Sequence, residues 1–530
     1  MSAIVTDQFR ILNASNFVDS VQDSSNSYYV FVGLSNPQGS GFGRSAAWDT
    51  NTPDPTDNLD YSNHYQSTIL YGKKVTSANI RRVIRKIDWV SGQKYEMYRP
   101  DYSIINPSPL TSSMRLYDAN YYAINSDYRV YICIDNGSSG INTTGNSSQI
   151  EPTFTDLEPS KLGDGYVWKY LYTISPSDVI KFDSTEYITV PNAWETSADP
   201  QISTIRDNGN SALNENQIKK VYIKNGGSGY TLSTGQPCNI LGDGSGGSVS
   251  LEVNSATGSI TDVIVTSGGK NYTYGLIDLG TTSTNTPSVY AELIPIIPPS
   301  KGHGFNIYAE LGADKVLVYA RFDDTSKQFP VDTKFAQVGI LKNPTVYDST
   351  GISTNLYTSN DFSGVYSIRF SNISGTISVG DKIRQSVSGG TAYGNVISYD
   401  SETMVLKYSQ DRSLYYSGGG GIGHTDFVGM SSFFSENNTV LPFSAYNPSN
   451  PSETQPIIKI GGGFNGTVSS FTGITTTISN KIINLGVYYT NGLANPEINS
   501  KSGDIIYIDN RPTVSRSSRQ KEDFKIILEF

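Results

Sequence analysis

Sulfur and imidazole are scarce in this sequence: 530 residues hold two cysteines, three histidines and five methionines. Cys133 and Cys238 are too few for a disulfide framework or a thiolate metal site. Cys133 lies in YRVYICID, a strand pattern, and reads as a buried free thiol. His64, His303 and His424 stand far apart in turn-like contexts, so a zinc centre or a Ser-His-Asp site has no evident imidazole. No HExxH, nucleophile elbow or Walker sequence is present either. Positive charge is also short. A net charge of −10 repels phosphate backbones and anionic lipid, which argues against nucleic acid as a principal partner. No apolar run approaches a membrane span, and MSAIVTDQFRILNASNF has neither a basic n-region nor a continuous apolar h-region. The expectation is a chain made and folded in the cytoplasm, with no membrane partner and no cofactor.

What is abundant is glycine (50) and tyrosine (36), against 37% hydrophobic residues, a balance that favours many short strands and turns over packed helices. The fold class is therefore mainly β, and the length predicts roughly three or four domains. Strand patterns recur at 27–34, 128–134, 186–190, 315–322 and 335–341, separated by loops rich in Pro, Gly, Asn and Ser at 35–58, 136–149 and 445–456. The closing DFKIILEF alternates Phe524, Ile526, Leu528 and Phe530 against Lys525, Ile527 and Glu529, a strand expected to be held in a sheet.

Helical signals are few. TSANIRRVIRKI predicts a helix from Thr76 or Ser77, with Ile80, Val83, Ile84 and Ile87 on one stripe. Arg81, Arg82, Arg85 and Lys86 would then form a cationic strip, open either to an acidic partner or to solvent. A shorter helix is expected over 15–21.

GDGYVWKYLYTI at 163–174 sets Tyr166, Trp168, Tyr170 and Tyr172 on alternate positions, so an extended chain puts all four rings on one side. Such a row fits a core or subunit interface, and also a platform for sugars or bases. Asp164-Gly165 before it is a turn signal.

The middle of the chain repeats itself. IKKVYIKNGGSGYT at 218–231 aligns without gaps on ITDVIVTSGGKNYT at 260–273, a period of 42 with six identities. Each copy reads as a strand, a Gly-Gly turn and a Tyr folding back, together making a small β module. A second module near 360–412, with GTISVGDKI, GGTAYGNVISYD and TMVLKYS, reads as a small open barrel. GDGSGG at 242–247 and GGGGIG at 418–423 match a dinucleotide fingerprint, but no helix follows either, so both are taken as hairpin or loop glycines. Asp323-Asp324 and Asp54/Asp57 are conceivable glycosidase carboxylates, and loop solvation accounts for them better. No catalytic residue stands out, and the chain is read as not an enzyme.

Taken in order, AIVTDQFR, FGRSAAW, the basic segment ending in IDW, GDGYVWKYLYTI with EYITVP, KVLVYARF to FAQVGILKNP, and GDIIYIDNRPTV with FKIILEF resemble a known family. That family is the baseplate wedge subunit of T-even-type contractile-tailed bacteriophages, which forms a dimer within each wedge. The resemblance covers roughly 4–205, 297–347 and 503–530 and fails over both β modules. It implies a layered β-sandwich core with a few short helices in loops, no enzymatic activity, a place in the virion's tail baseplate, and partners that are a second copy and other wedge subunits. The domain reading that follows is a core in three parts (1–205, 297–347, 501–530) carrying two inserted modules (206–296 and 348–500). The inserts are similar to modules in structural proteins of phages infecting marine cyanobacteria, which suggests that host class. Under this reading the four rings and the four cations are core or interface residues. The alternative is a receptor-binding or fibre-like virion protein whose modules grip host glycans.

Overall fold

The computed structural model describes residues 6–34, 48–52, 54–55, 57, 62, 65–66, 68–209, 217–280, 286–323, 333–348, 353–388, 390–410, 442–447, 449–450, 454–499, 502–517 and 520–530. His64, His424, Asp324, the 418–423 glycines and all of FGRSAAW but its tryptophan, Trp48, lie outside these residues. The fold is mainly β. Two compact units share it: 1–18, 81–317 and 526–530 make the first, and 19–80 with 318–525 the second. The 206–296 segment falls in the first and 348–500 in the second.

At the centre of the first unit is an antiparallel sheet of Tyr122–Ile124, Arg129–Asp135, Val167–Thr173 and Ser160–Lys161, in that order. Five consecutive residues in each of the two middle strands, Val130 to Ile134 and Trp168 to Tyr172, are buried, so this sheet is covered on both faces. A second sheet in this unit pairs Ile80–Arg85 with Tyr187–Val190 and with the parts of Lys315–Phe322 and Glu522–Glu529 that belong to the unit. In the last of these strands Ile526 is buried and Leu528 half-buried, while Ile527 and Glu529 are exposed, the alternation that the sequence carries.

The expected helix over 76–87 is not one. A single 3-10 turn at Ser77–Asn79 leads into the strand Ile80–Arg85. The strand lies inside its sheet with a neighbour on either side, so Arg82 is buried along with Val83 and Ile84. With both faces covered, the apolar spacing mimics a helical stripe, and the β-branched Ile80, Val83 and Ile84 suit a strand. The helix expected at 15–21 is longer, Asp7–Gln22, with Ile11, Ala14 and Val18 buried along one side.

The repeat forms its own small core. Ser259–Lys270, Ser245–Asn254, Gln236–Gly242 and Gly275–Ile277 make a four-stranded sheet, and Val221–Asn225 pairs with Glu292–Pro295. The GDGSGG glycines sit in the hairpin between Gln236–Gly242 and Ser245–Asn254. The two copies complete each other: Ile260 N donates to Gly226 O at 2.9 Å, and Ile218 N donates to Gly268 O at 3.0 Å. These are the same two positions of the repeat with roles exchanged, a local pseudo-twofold. Gly227 and Gly269 follow with φ of 65° and 64°, conformations that need glycine. Tyr230 and Tyr272 then turn inward, their hydroxyls accepting from Ala291 N and Gly247 N.

The second unit contains a five-stranded antiparallel sheet ordered Asp361–Ser363, Ile69–Val75, Tyr28–Leu34, Lys334–Lys342 and Asp504–Ser515. It also contains a barrel that is closed, where an open one was expected. Val405–Ser409, Gly390–Asp400, Lys382–Val387, Ile457–Lys459, Phe464–Val468 and Tyr366–Gly375 pair in turn, and Tyr366–Gly375 pairs back onto Val405–Ser409. Two of the six strands come from beyond residue 450, outside the stretch that reads as a barrel. Closure removes the exposed strand edges.

Candidate functional site

Asp164 builds the entrance to the aromatic strand. Its carboxylate accepts from Ser148 Oγ and from the amides of Gln149, Ile150 and Tyr166, and Gly165 follows at a φ of 92°. Tyr166 then stacks on Trp168, with centroids 5.5 Å apart and planes at 11°. Its hydroxyl donates to Asn146 O and accepts from Tyr95 N. Trp168 stands opposite Cys133 and Tyr170 opposite Tyr131, so these rings share a face.

Tyr172 does not. The register steps from Tyr170–Tyr131 to Tyr172–Val130, making Leu171 an extra residue, and this bulge moves Tyr172 to the other face. There its hydroxyl donates to Thr189 O at 3.0 Å and its ring meets Trp194. The sequence expectation of four rings on one side therefore holds for three. All four are at most 2% exposed. Burial pushes the hydroxyls of Tyr166, Tyr170 and Tyr172 above the ordinary tyrosine value, so none serves as an acid or base near neutrality.

The cationic strip is spent inside the unit. Arg81 meets Asp178 at 2.9 Å, and Lys86 meets Asp183 at 3.3 Å, at the two ends of the helix Pro176–Phe182. Ser175 caps that helix through its side chain, which accepts from Asp178 N. Arg82 lies over the Tyr308 ring at 4.1 Å, and Arg85 donates to Ala119 O. Because the segment is a strand, the four cations point to different surroundings and form no strip.

Arg99 and Glu310, which the sequence reading did not single out, hold key positions, and so does His303, which it placed in a turn. Arg99, 1% exposed, donates twice to Asp101 and lies between the rings of Tyr102 (4.9 Å) and Tyr222 (3.7 Å). His303 Nδ1 lies 2.5 Å from Glu310 Oε1, and Gly304 N donates to the other oxygen. The available signals were YEMYRPDY at 95–102 and the His303 to Glu310 spacing of seven. Glu310 also lines a cleft of 820 Å³, with Tyr98, Tyr102, Met114, Tyr117 and Phe305. Cys133 and Cys238 are buried and free. Among the described residues, no group of three or more His, Cys, Asp or Glu could hold a metal ion. No helix there is long and apolar enough to cross a membrane.

The aromatic strand is thus sealed in a core, and Arg81 and Lys86 are paired within the unit. Two comparisons relate the chain to known proteins. Residues 142–227, which include the aromatic strand, match the family model described as Phage-Gp8, bacteriophage T4 Gp8. Over 240 residues the chain is 25% identical to baseplate wedge protein gp8 of Enterobacteria phage T4, covering 39% of this chain. It spans 66% of the relative's length. The similarities support a baseplate wedge subunit of T4-like phages, located in the tail baseplate of the virion.

Proposed function

We propose that this chain is a non-catalytic subunit that assembles the wedge through protein contacts, with a second copy of itself and with neighbouring wedge proteins. The observation that carries this reading is the aromatic strand within 142–227, the stretch that matches the family model, buried on both faces. It acts as a rigid scaffold, which leaves the contacts to surface loops. The segments 206–296 and 348–500 are read as insertions in that scaffold, with the family match running into the first of them as far as residue 227, and the Gly-Tyr repeat is in keeping with a cyanobacterial host. Light scattering of the purified chain at tens of micromolar tests self-association, and co-expression with wedge proteins of the same phage tests assembly. A monomer that captures none of them overturns the reading.

A second reading has one observation in its favour. Tyr274 and Tyr290 near the repeat are 59% and 65% exposed, rings free to stack on sugars. Glycan-array binding lost on changing both to Ala would favour a receptor-binding role.

A further inference from the structure

The most exposed isoleucines in the first unit include a pair, Ile104 and Ile105, 78% and 87% exposed, side by side at the tip of a tight turn. Such tips ordinarily carry Gly, Asn, Asp or Ser. Here two β-branched apolar residues are held out in water by an elaborate frame. Ser103 N donates to Asn106 O and Asn106 N to Ser103 O, both at 3.1 Å. Asn106 Nδ2 and the Arg99 guanidinium both donate to Asp101. Arg99 is itself clamped between Tyr102 and Tyr222. The turn is preorganised, so little further ordering is needed when its tip is covered.

Pro100 and Tyr102, immediately before the turn, line the 820 Å³ cleft, so protrusion and recess belong to one continuous patch. The recess is aromatic and apolar, through Tyr98, Tyr117, Leu116 and Phe305, and its Met114 is 54% open to water. Its open charged lining residues are Asp7 against Arg115 and Lys301, since Glu310 is 3% exposed and bonded to His303 Nδ1 and Gly304 N. Two copies of a chain with net charge −10 repel overall, and a patch without that excess of negative charge is where they can approach. A twofold pair requires one surface to carry both a feature and its complement.

We infer that the Ile104–Ile105 turn is a knob that seats in the cleft of a second copy of this chain, each copy giving one knob and receiving one. This rests on the self-association proposed above and names its surface.

The test uses two full-length variants, Ile105→Asp in the knob and Met114→Glu in the cleft. Both sites are exposed, and unchanged thermal melts confirm folding. Each variant alone should dissociate, its dimer Kd raised by roughly 30-fold or more. Mixed together, they should recover heterodimer by native mass spectrometry, because one intact knob still meets one intact cleft. A wild-type monomer at tens of micromolar defeats self-association altogether. A wild-type dimer that both variants leave intact, or two dissociated variants that fail to rescue each other, defeats this surface while leaving self-association standing.

Discussion

The Arg99 guanidinium lies 3.7 Å from the ring of Tyr222, and this contact ties the turn-bearing loop at 99–106 to the repeat module. Lys220, two residues before the tyrosine, meets Asp135 at 2.9 Å and donates to Ser138 O. Gly140 N donates to Thr261 O at 2.8 Å. The module is thus docked on the central sheet's loops by a buried cation on each side. Arg99→Ala should cost about 2–3 kcal/mol in chemical denaturation, because the buried packing against two rings is lost and Asp101 keeps only its bond from Asn106 Nδ2. Tyr222→Leu, which keeps the packing and loses the cation–π contact, should cost about 1–2 kcal/mol.

The pseudo-twofold predicts matched costs. A Cβ on Gly226 would lie 2.2 Å from Ile260 O, and one on Gly268 would lie 2.3 Å from Ile218 O. Gly226→Ala and Gly268→Ala should each destabilise by roughly 2–3 kcal/mol. Hydrogen exchange should report the loss over 218–273 in both variants. Loss in one variant alone would break the equivalence.

The arginines of the expected strip should separate. Arg81 and Asp178 are 18% and 12% exposed, so Arg81→Ala should cost about 2 kcal/mol in denaturant midpoints. Arg85 is exposed and makes a carbonyl contact, so Arg85→Ala should stay within about 1 kcal/mol. Equal effects would argue that the Asp178 pairing contributes nothing.

Alkaline pH should act in two opposed windows. Burial holds the Lys407 ammonium at about 8, so between there and the free-lysine value the unfolded chain binds the extra proton. The cost of burying that charge is present below pH 8 and is relieved as pH rises. Wild type should therefore gain up to about 3 kcal/mol relative to Lys407→Met across this window. Burial pushes Tyr29, Tyr95, Tyr117 and Tyr131 up to about 12. For these the folded state keeps the proton longer, so their contribution is complete below pH 10 and lost as pH climbs towards 12. Melting temperatures from pH 7 to 12 should show the mutant difference first and a general collapse later.

Strands with a dry and a wet face were legible because alternation survives in the letters, as in Glu522–Glu529. Ile80–Arg85 was not, since burial on both faces erases alternation and leaves an accidental helical spacing. The partners that neutralise Arg81 and Lys86 lie about a hundred positions away, on a helix that nothing near the arginines announces. Three of the four alternating rings share a face as their spacing predicts, but the bulge at Leu171 that turns Tyr172 away depends on a neighbouring strand and has no local sign. The turn at Ser103–Asn106 was missed for the opposite reason: its tip residues are the wrong chemistry for a turn.

The exchanged hydrogen bonds of the repeat have a consequence for descent. Because each half supplies what the other lacks, a crossover falling between Asn225 and Ser259 would strand two amides and two carbonyls at once. Such modules should therefore move between genomes as an inseparable pair, gained or lost whole, and never as a single copy.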